Sequence, residues 1–114
     1  MLIRIRDSYI VAEGPVTLDV SLGEGQKGFI EVLLSGKVLA SGTRIEGLEL
    51  GDGQALAGQK LRITSTVTDT NPMTNRTSVT YRLSGGKSDR RYMSRHEVDS
   101  EGDTVDYDAI FLLI

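Results

Sequence analysis

Lys60 to Leu83 reads KLRITSTVTDTNPMTNRTSVTYRL. Within it Leu61, Ile63, Ser65 and Val67 alternate with Arg62, Thr64, Thr66 and Thr68, and Thr77, Val79, Tyr81 and Leu83 alternate with Ser78, Thr80 and Arg82. Period two marks a half-buried strand, because successive side chains point to opposite faces of a sheet. The β-branched Thr and Val that fill both runs fit a pleated surface and make poor helices. Between the runs, Asp69 to Asn75 carries the residues of a turn: Pro72 fixes φ and lacks a donor, while Asp and Asn bond their own backbone. The stretch predicts two strands, joined by a polar loop and paired antiparallel, at the centre of an all-β domain.

Working outward toward the N-terminus, Gln54 to Leu56 has room for one helical turn within the glycine-rich Gly42 to Gly58 segment, and Arg44 to Leu50 reads as a strand. Phe29 to Leu34 and Val38 to Ala40 flank Ser35-Gly36-Lys37 and predict a short hairpin. Val16, Leu18, Val20 and Leu22 alternate with Thr17, Asp19 and Ser21 in the cleanest strand pattern of the chain. Leu2, Ile3 and Ile5 open a first strand, with Asp7-Ser8 read as an interruption and Tyr9-Ile10-Val11 as its continuation past a bulge. Toward the C-terminus, Arg90 to Val98 is a further strand, Asp99 to Asp103 an acidic turn, and Val105 to Ile114 a last strand. About eight or nine short strands at even spacing predict an antiparallel β-sandwich, with residues 1–114 forming one domain.

Composition narrows the class further. The chain of 114 residues has no cysteine, so no disulfide or thiolate metal site is available to it. Its aromatics are four Tyr and two Phe with no Trp, and its core is therefore aliphatic. The net charge of -3 excludes a strongly basic nucleic-acid binder. Met1 to Gly86 carries nine basic and nine acidic residues, and the whole imbalance sits in Lys87 to Ile114, with four basic and seven acidic. No apolar run approaches the roughly 20 residues of a spanning helix. The alternating Met1 to Asp7 segment lacks the apolar stretch of a secretory signal. Taken as a full-length product, the chain is expected in the cytoplasm, away from membranes.

The Thr-rich strands and the Asp69 to Asn75 loop resemble those of bacterial immunoglobulin-like sandwiches. That resemblance implies an immunoglobulin-like two-sheet fold. The Cys-Trp-Cys signature of antibody domains is missing, so no binding residue is carried over and the fold alone licenses no function.

Few residue groups suggest chemistry. Gly23 to Gly28 is glycine-rich, but it leads into a strand where a phosphate-binding loop leads into a helix. His96 is the only histidine; on a strand it shares a face with Ser94 and Val98, not with Glu97, which describes a surface residue more readily than a catalytic one. Glu97, Asp99, Glu101, Asp103, Asp106 and Asp108 concentrate negative charge. They lack the spacing of a Ca²⁺ loop, and the turn is expected to be solvated, its acids facing Arg90, Arg91 and Arg95 across a hairpin ladder. Asp69, Asn71 and Asn75 form a second set of oxygens that turn chemistry already explains. Asn75-Arg76-Thr77 matches a glycosylation acceptor by chance.

The strongest functional signal is the C-terminal run. Ala109 to Ile114 is apolar at every position, so a strand there carries hydrophobic side chains on both faces and both need cover. One face belongs to the domain's own core. The other is expected to meet a second copy or another protein, with Ile110, Phe111, Leu112, Leu113 and Ile114 as the interface, or to be covered by the Gly42 to Gly58 segment. The chain is thus expected to be a non-enzymatic structural or protein-interaction module, self-associating or part of a larger bacterial or phage-like assembly, without cofactor or metal. The alternative is a module binding Ca²⁺ or a polysaccharide, resting on the acidic turn; the four tyrosines are a thin supply for a sugar platform.

Overall fold

The computed structural model describes residues 1–114. Nine strands and one helical turn follow in the order β1 (Leu2–Tyr9), β2 (Pro15–Leu22), β3 (Lys27–Leu34), β4 (Lys37–Gly42), β5 (Ile45–Asp52), α1 (Gly53–Leu56), β6 (Lys60–Thr68), β7 (Arg76–Ser84), β8 (Arg90–Glu97) and β9 (Thr104–Leu113). They form a five-stranded sheet, β1-β9-β6-β3-β4, and a four-stranded sheet, β5-β2-β7-β8. The architecture is a β-sandwich. No helix is long and apolar enough to cross a membrane.

Each strand buries the face that its alternation marks. Val16, Leu18 and Val20 on β2 and Val79, Tyr81 and Leu83 on β7 point inward from one sheet, and Ile30, Val32, Leu61, Ile63, Val67, Tyr107 and Phe111 point inward from the other. These side chains belong to one cluster of 21 buried hydrophobic residues. Phe111 locks the sheets together: its ring meets Tyr81 edge-on at 6.0 Å and Tyr92 at 4.8 Å, both from the opposite sheet. The β3–β4 hairpin turns on Ser35 and Gly36, with φ of 50° and 82°. Two successive positive φ values match the twist of the flanking strands, and glycine takes the second at little cost.

Four expectations need correction. β6 and β7 are not a pair: β6 lies between β9 and β3, and β7 lies between β2 and β8 in the other sheet. The Asp69 to Asn75 loop spans the roughly 10 Å between facing sheets, so the two alternating runs face each other through the core. β1 is continuous through Asp7 and Ser8, because β9 pairs with it residue by residue from Leu2 to Tyr9. That pairing is parallel, so the sandwich is not wholly antiparallel. Finally, the Asp99 to Asp103 turn is no hairpin. It carries the chain from β8 in one sheet to β9 in the other, and Arg90, Arg91 and Arg95 pair with Leu83, Arg82 and Ser78 of β7.

Candidate functional site

β9 occupies an interior place in the five-stranded sheet, hydrogen-bonded on one side to β1 and on the other to β6. Its last backbone groups are paired as well: Leu113 donates to the Gln59 carbonyl, Gly58 donates to the Leu113 carbonyl, and Ile114 donates to the Tyr9 carbonyl. The C-terminal run therefore offers no free edge to a partner, only a face. Ala109, Phe111 and Leu113 point into the core and are fully buried. Phe111 and Leu113 thus leave the expected interface, and Ile110, Leu112 and Ile114 remain as its surface half. Leu112 is 43 % and Ile114 57 % exposed, while Ile110 is half-buried. The segment around α1 pairs with the backbone of this run without covering its outer face.

The strand register shows what surrounds these side chains. Arg6, Ile110, Arg62, Leu33 and Val38 follow one another across all five strands in a single row. The next row toward the start of β9 holds Arg4, Asp108, Thr64 and Glu31, and the one beyond it Leu2, Asp106, Thr66 and Phe29. Phe29, Val38 and Leu2 are each about half exposed or more. The outer face of this sheet therefore mixes exposed apolar side chains with charged and polar ones. The outer face of the four-stranded sheet differs: its side chains are Thr17, Asp19, Ser21, Arg82, Arg91, Arg95 and similar polar groups, with Met93 as the one exposed large hydrophobic.

Asp108 anchors the charged part. It belongs to the outward-facing set of β9, yet its side chain is only 5 % exposed, because two arginines close over it. Arg62 grips it with both ends of its fork, Nε donating to Oδ1 at 2.9 Å and Nη2 to Oδ2 at 3.1 Å. Arg4 approaches Oδ2 at 3.5 Å from the other side. The hydrogen bonds and charge of Asp108 push the Arg62 guanidinium further toward its charged form. Beside this group, Thr66 donates to Asp106 at 2.8 Å. Asp106 and Asp108, counted in the sequence among six clustered acids, lie on β9 as the last-strand reading expects, apart from the Asp99 to Asp103 turn.

The remaining candidate residues gather at the end of the sandwich where β9 starts. Asp69 donates its amide to the Asp103 carbonyl, and Gly102 donates to the Asp69 carbonyl, so the two acidic loops close against each other. The Asp69 carboxylate is fully buried, and neither oxygen has a hydrogen-bond partner. Burial of such a group costs stability. His96, Glu97, Asp99 and Asp103 line one shallow depression together with Thr104. No three acidic or histidine side chains converge there on a common point. Asn71 and Asn75 serve the loop itself, Asn71 accepting from the Met73 amide and donating to the Glu24 carbonyl, and Asn75 reaching toward the Asp99 carbonyl.

Gln26 organises this end and has no signal in the sequence beyond its place in a glycine-rich loop. Its Oε1 accepts from the Thr70 and Asn71 amides at 2.8 and 2.9 Å, and its Nε2 donates to the Thr74 and Arg76 carbonyls at 3.2 and 2.8 Å. A single buried amide thus satisfies four backbone groups of the crossing loop. The tyrosines likewise serve the interior. Tyr9, Tyr81 and Tyr107 are fully buried and Tyr92 leans on Phe111, so the one widely exposed aromatic is Phe29. Thr77 donates to the His96 carbonyl at 2.7 Å, which leaves the Tyr107 hydroxyl as the donor to Thr77 Oγ1. No protein-family model, no curated protein and no solved structure matches this chain.

Proposed function

We propose that this protein is a non-enzymatic, self-associating module that contributes to a larger assembly through the outer face of its five-stranded sheet. The observation that carries the reading is the asymmetry between the two outer faces. Leu2, Phe29, Val38, Leu112 and Ile114 are all open on one, and Met93 stands alone on the other. Exposed apolar side chains set among charges are what a second sheet with a complementary face packs against. Each of these side chains is already about half buried, so removing the remainder from water contributes about half of the roughly 1.5 to 3 kcal/mol of a full burial, before ordering costs. A second copy supplies a matching surface, since arginines and acidic residues alternate with apolar groups on the same face and a two-fold contact sets one against the other. The fold assignment that accompanies this reading is an immunoglobulin-like sandwich in the architectural sense. Two facing sheets support it, with strand orders that are this chain's own.

The test is the oligomeric state. Light scattering coupled to size exclusion is expected to show a species larger than the monomer, and Leu112→Asp or Ile114→Asp to reduce it to a folded monomer. A wild-type protein that stays monomeric at high micromolar concentration and gains no partner through this face overturns the proposal. Dissociation by Met93→Asp but not by Leu112→Asp would move the contact to the other sheet.

A further inference from the structure

We propose that the outer face of the four-stranded sheet holds a binding site for a tetrahedral oxyanion, a phosphate or sulfate group, between Arg82, Arg91 and Arg44. Arg82 on β7 and Arg91 on β8 are directly opposite in register, and both side chains are exposed. Directly opposed residues of an antiparallel pair hold their Cβ atoms about 4.5 to 5.5 Å apart, and like charges placed there repel. Neither arginine has a carboxylate within ion-pair distance, in contrast to Arg62 and Arg4 on the other sheet.

The nearest structural reason is Asp19. It is paired with Arg82 across the β2–β7 ladder, where a carboxylate would ordinarily neutralise it. Its Oδ1 instead accepts the Gly47 amide at 2.7 Å, on the β5 side, where the β2–β5 register shifts between Leu18 and Val20. The irregularity turns Oδ1 of the carboxylate toward β5, so that Asp19 lines the same depression as Arg82 and Arg91 without forming an ion pair with either. Arg44 enters the same depression from the connection before β5, held only loosely by Glu46 at 3.9 Å with both side chains largely exposed. Ser21 and Thr80, also in register with each other, add two hydroxyl donors to the lining. Three arginines and two hydroxyls line one open depression together with Asp19 and Glu46; Glu46 lies beside Arg44 and Asp19 Oδ1 is held by Gly47, so Arg82 and Arg91 keep free forks suited to a compact anion with several acceptor oxygens. Chloride, a single spherical acceptor with one charge, lacks the separate oxygens that a guanidinium fork engages in pairs.

The experiment is a titration with inorganic phosphate and, separately, sodium sulfate against sodium chloride at matched ionic strength, read by heteronuclear NMR shifts and by thermal unfolding. Shifts are expected on β7 and β8 around Arg82 and Arg91, with a rise in Tm that chloride does not give. Arg82→Gln or Arg91→Gln is expected to weaken binding at least tenfold while leaving Tm in chloride unchanged or slightly raised. Arg76→Gln, whose partner in register is Glu97, is expected to keep full binding. Arg82→Lys, which retains the charge but not the fork, is expected to bind with intermediate strength. Saturation by phosphate alone or by sulfate alone identifies which of the two anions the site takes. Identical responses to all three salts, equal binding by wild type and Arg91→Gln, or a fall in Tm of Arg91→Gln in chloride would each overturn the proposal.

Discussion

The two outer faces of the sandwich put arginine to opposite uses. On the five-stranded sheet, Arg62 and Arg4 converge on Asp108, whose carboxylate they shield until 5 % of its side chain remains exposed. On the four-stranded sheet, Arg82 and Arg91 confront each other, and the one carboxylate in register with Arg82 is engaged by the Gly47 amide. The first arrangement makes a shielded, bidentate pair that belongs to the structure. The second leaves donors unspent. Charge composition is nearly the same in both places; what differs is whether a carboxylate is free to turn toward the guanidinium.

Both faces rest on one core, which sets the largest effect. Phe111→Ala is expected to cost about 3 to 5 kcal/mol in urea unfolding, since the ring contacts the opposite sheet at two tyrosines. A loss below about 1 kcal/mol would mean that the sheets do not share that contact. The same core separates arginine from tyrosine in an alkaline titration. Burial is the main cause that raises Tyr9, Tyr81, Tyr92 and Tyr107 above their ordinary value of 10.0. The unfolded chain therefore ionises first, so stability is intact below pH 10 and falls as pH rises above it toward the folded values. The slope is about 1.4 kcal/mol per pH unit for each tyrosine still neutral in the fold. Phenolate absorbance should rise together with unfolding; phenolate forming well before unfolding would contradict the burial argument.

The comparison itself is tested by two smaller effects of opposite sign. Asp108→Ala should destabilise by about 1 to 2 kcal/mol, less than for a fully buried pair because Arg62 is 47 % exposed and can turn to water. Arg91→Gln should be neutral or stabilising by a few tenths of a kcal/mol in chloride, since it relieves repulsion between opposed like charges. If both substitutions destabilise equally, the two arginine settings are not different in kind. Of similar size, Leu112→Ala should change monomer stability by no more than about 0.5 kcal/mol, as for other exposed positions, while weakening association. Chemical denaturation at low concentration, where any oligomer has dissociated, isolates that value.

Much of the strand inventory was legible in the residues. The inward sets of β2, β6 and β7 are those that period two marks, and the Ser35-Gly36 turn and the α1 turn fall where glycine and helix-forming residues place them. That the C-terminal run carries two apolar faces was also readable from alternation. Which of them, Ile110, Leu112 and Ile114 or Ala109, Phe111 and Leu113, turns outward was not, because six consecutive apolar residues carry no phase of their own; the register with β6 supplies it. The Arg62–Asp108 pair joins residues 46 apart in sequence, and Gln26 reaches a loop 44 to 50 residues away. Neither leaves a local trace.

Sequence alone determined that this chain is built of short strands, which side of most strands turns inward, and that its last strand carries apolar groups on both faces. Those are consequences of local sterics and of the two-residue repeat, which each strand expresses without reference to its neighbours. Tertiary structure decided which strands lie side by side. It sent β6 and β7 to different sheets, set β1 parallel to β9, and buried one acidic residue of the C-terminal third beneath two arginines. Pairing depends on how the loops cross the interior and on which faces must be covered. Nothing in a strand's own alternation specifies the strand beside it.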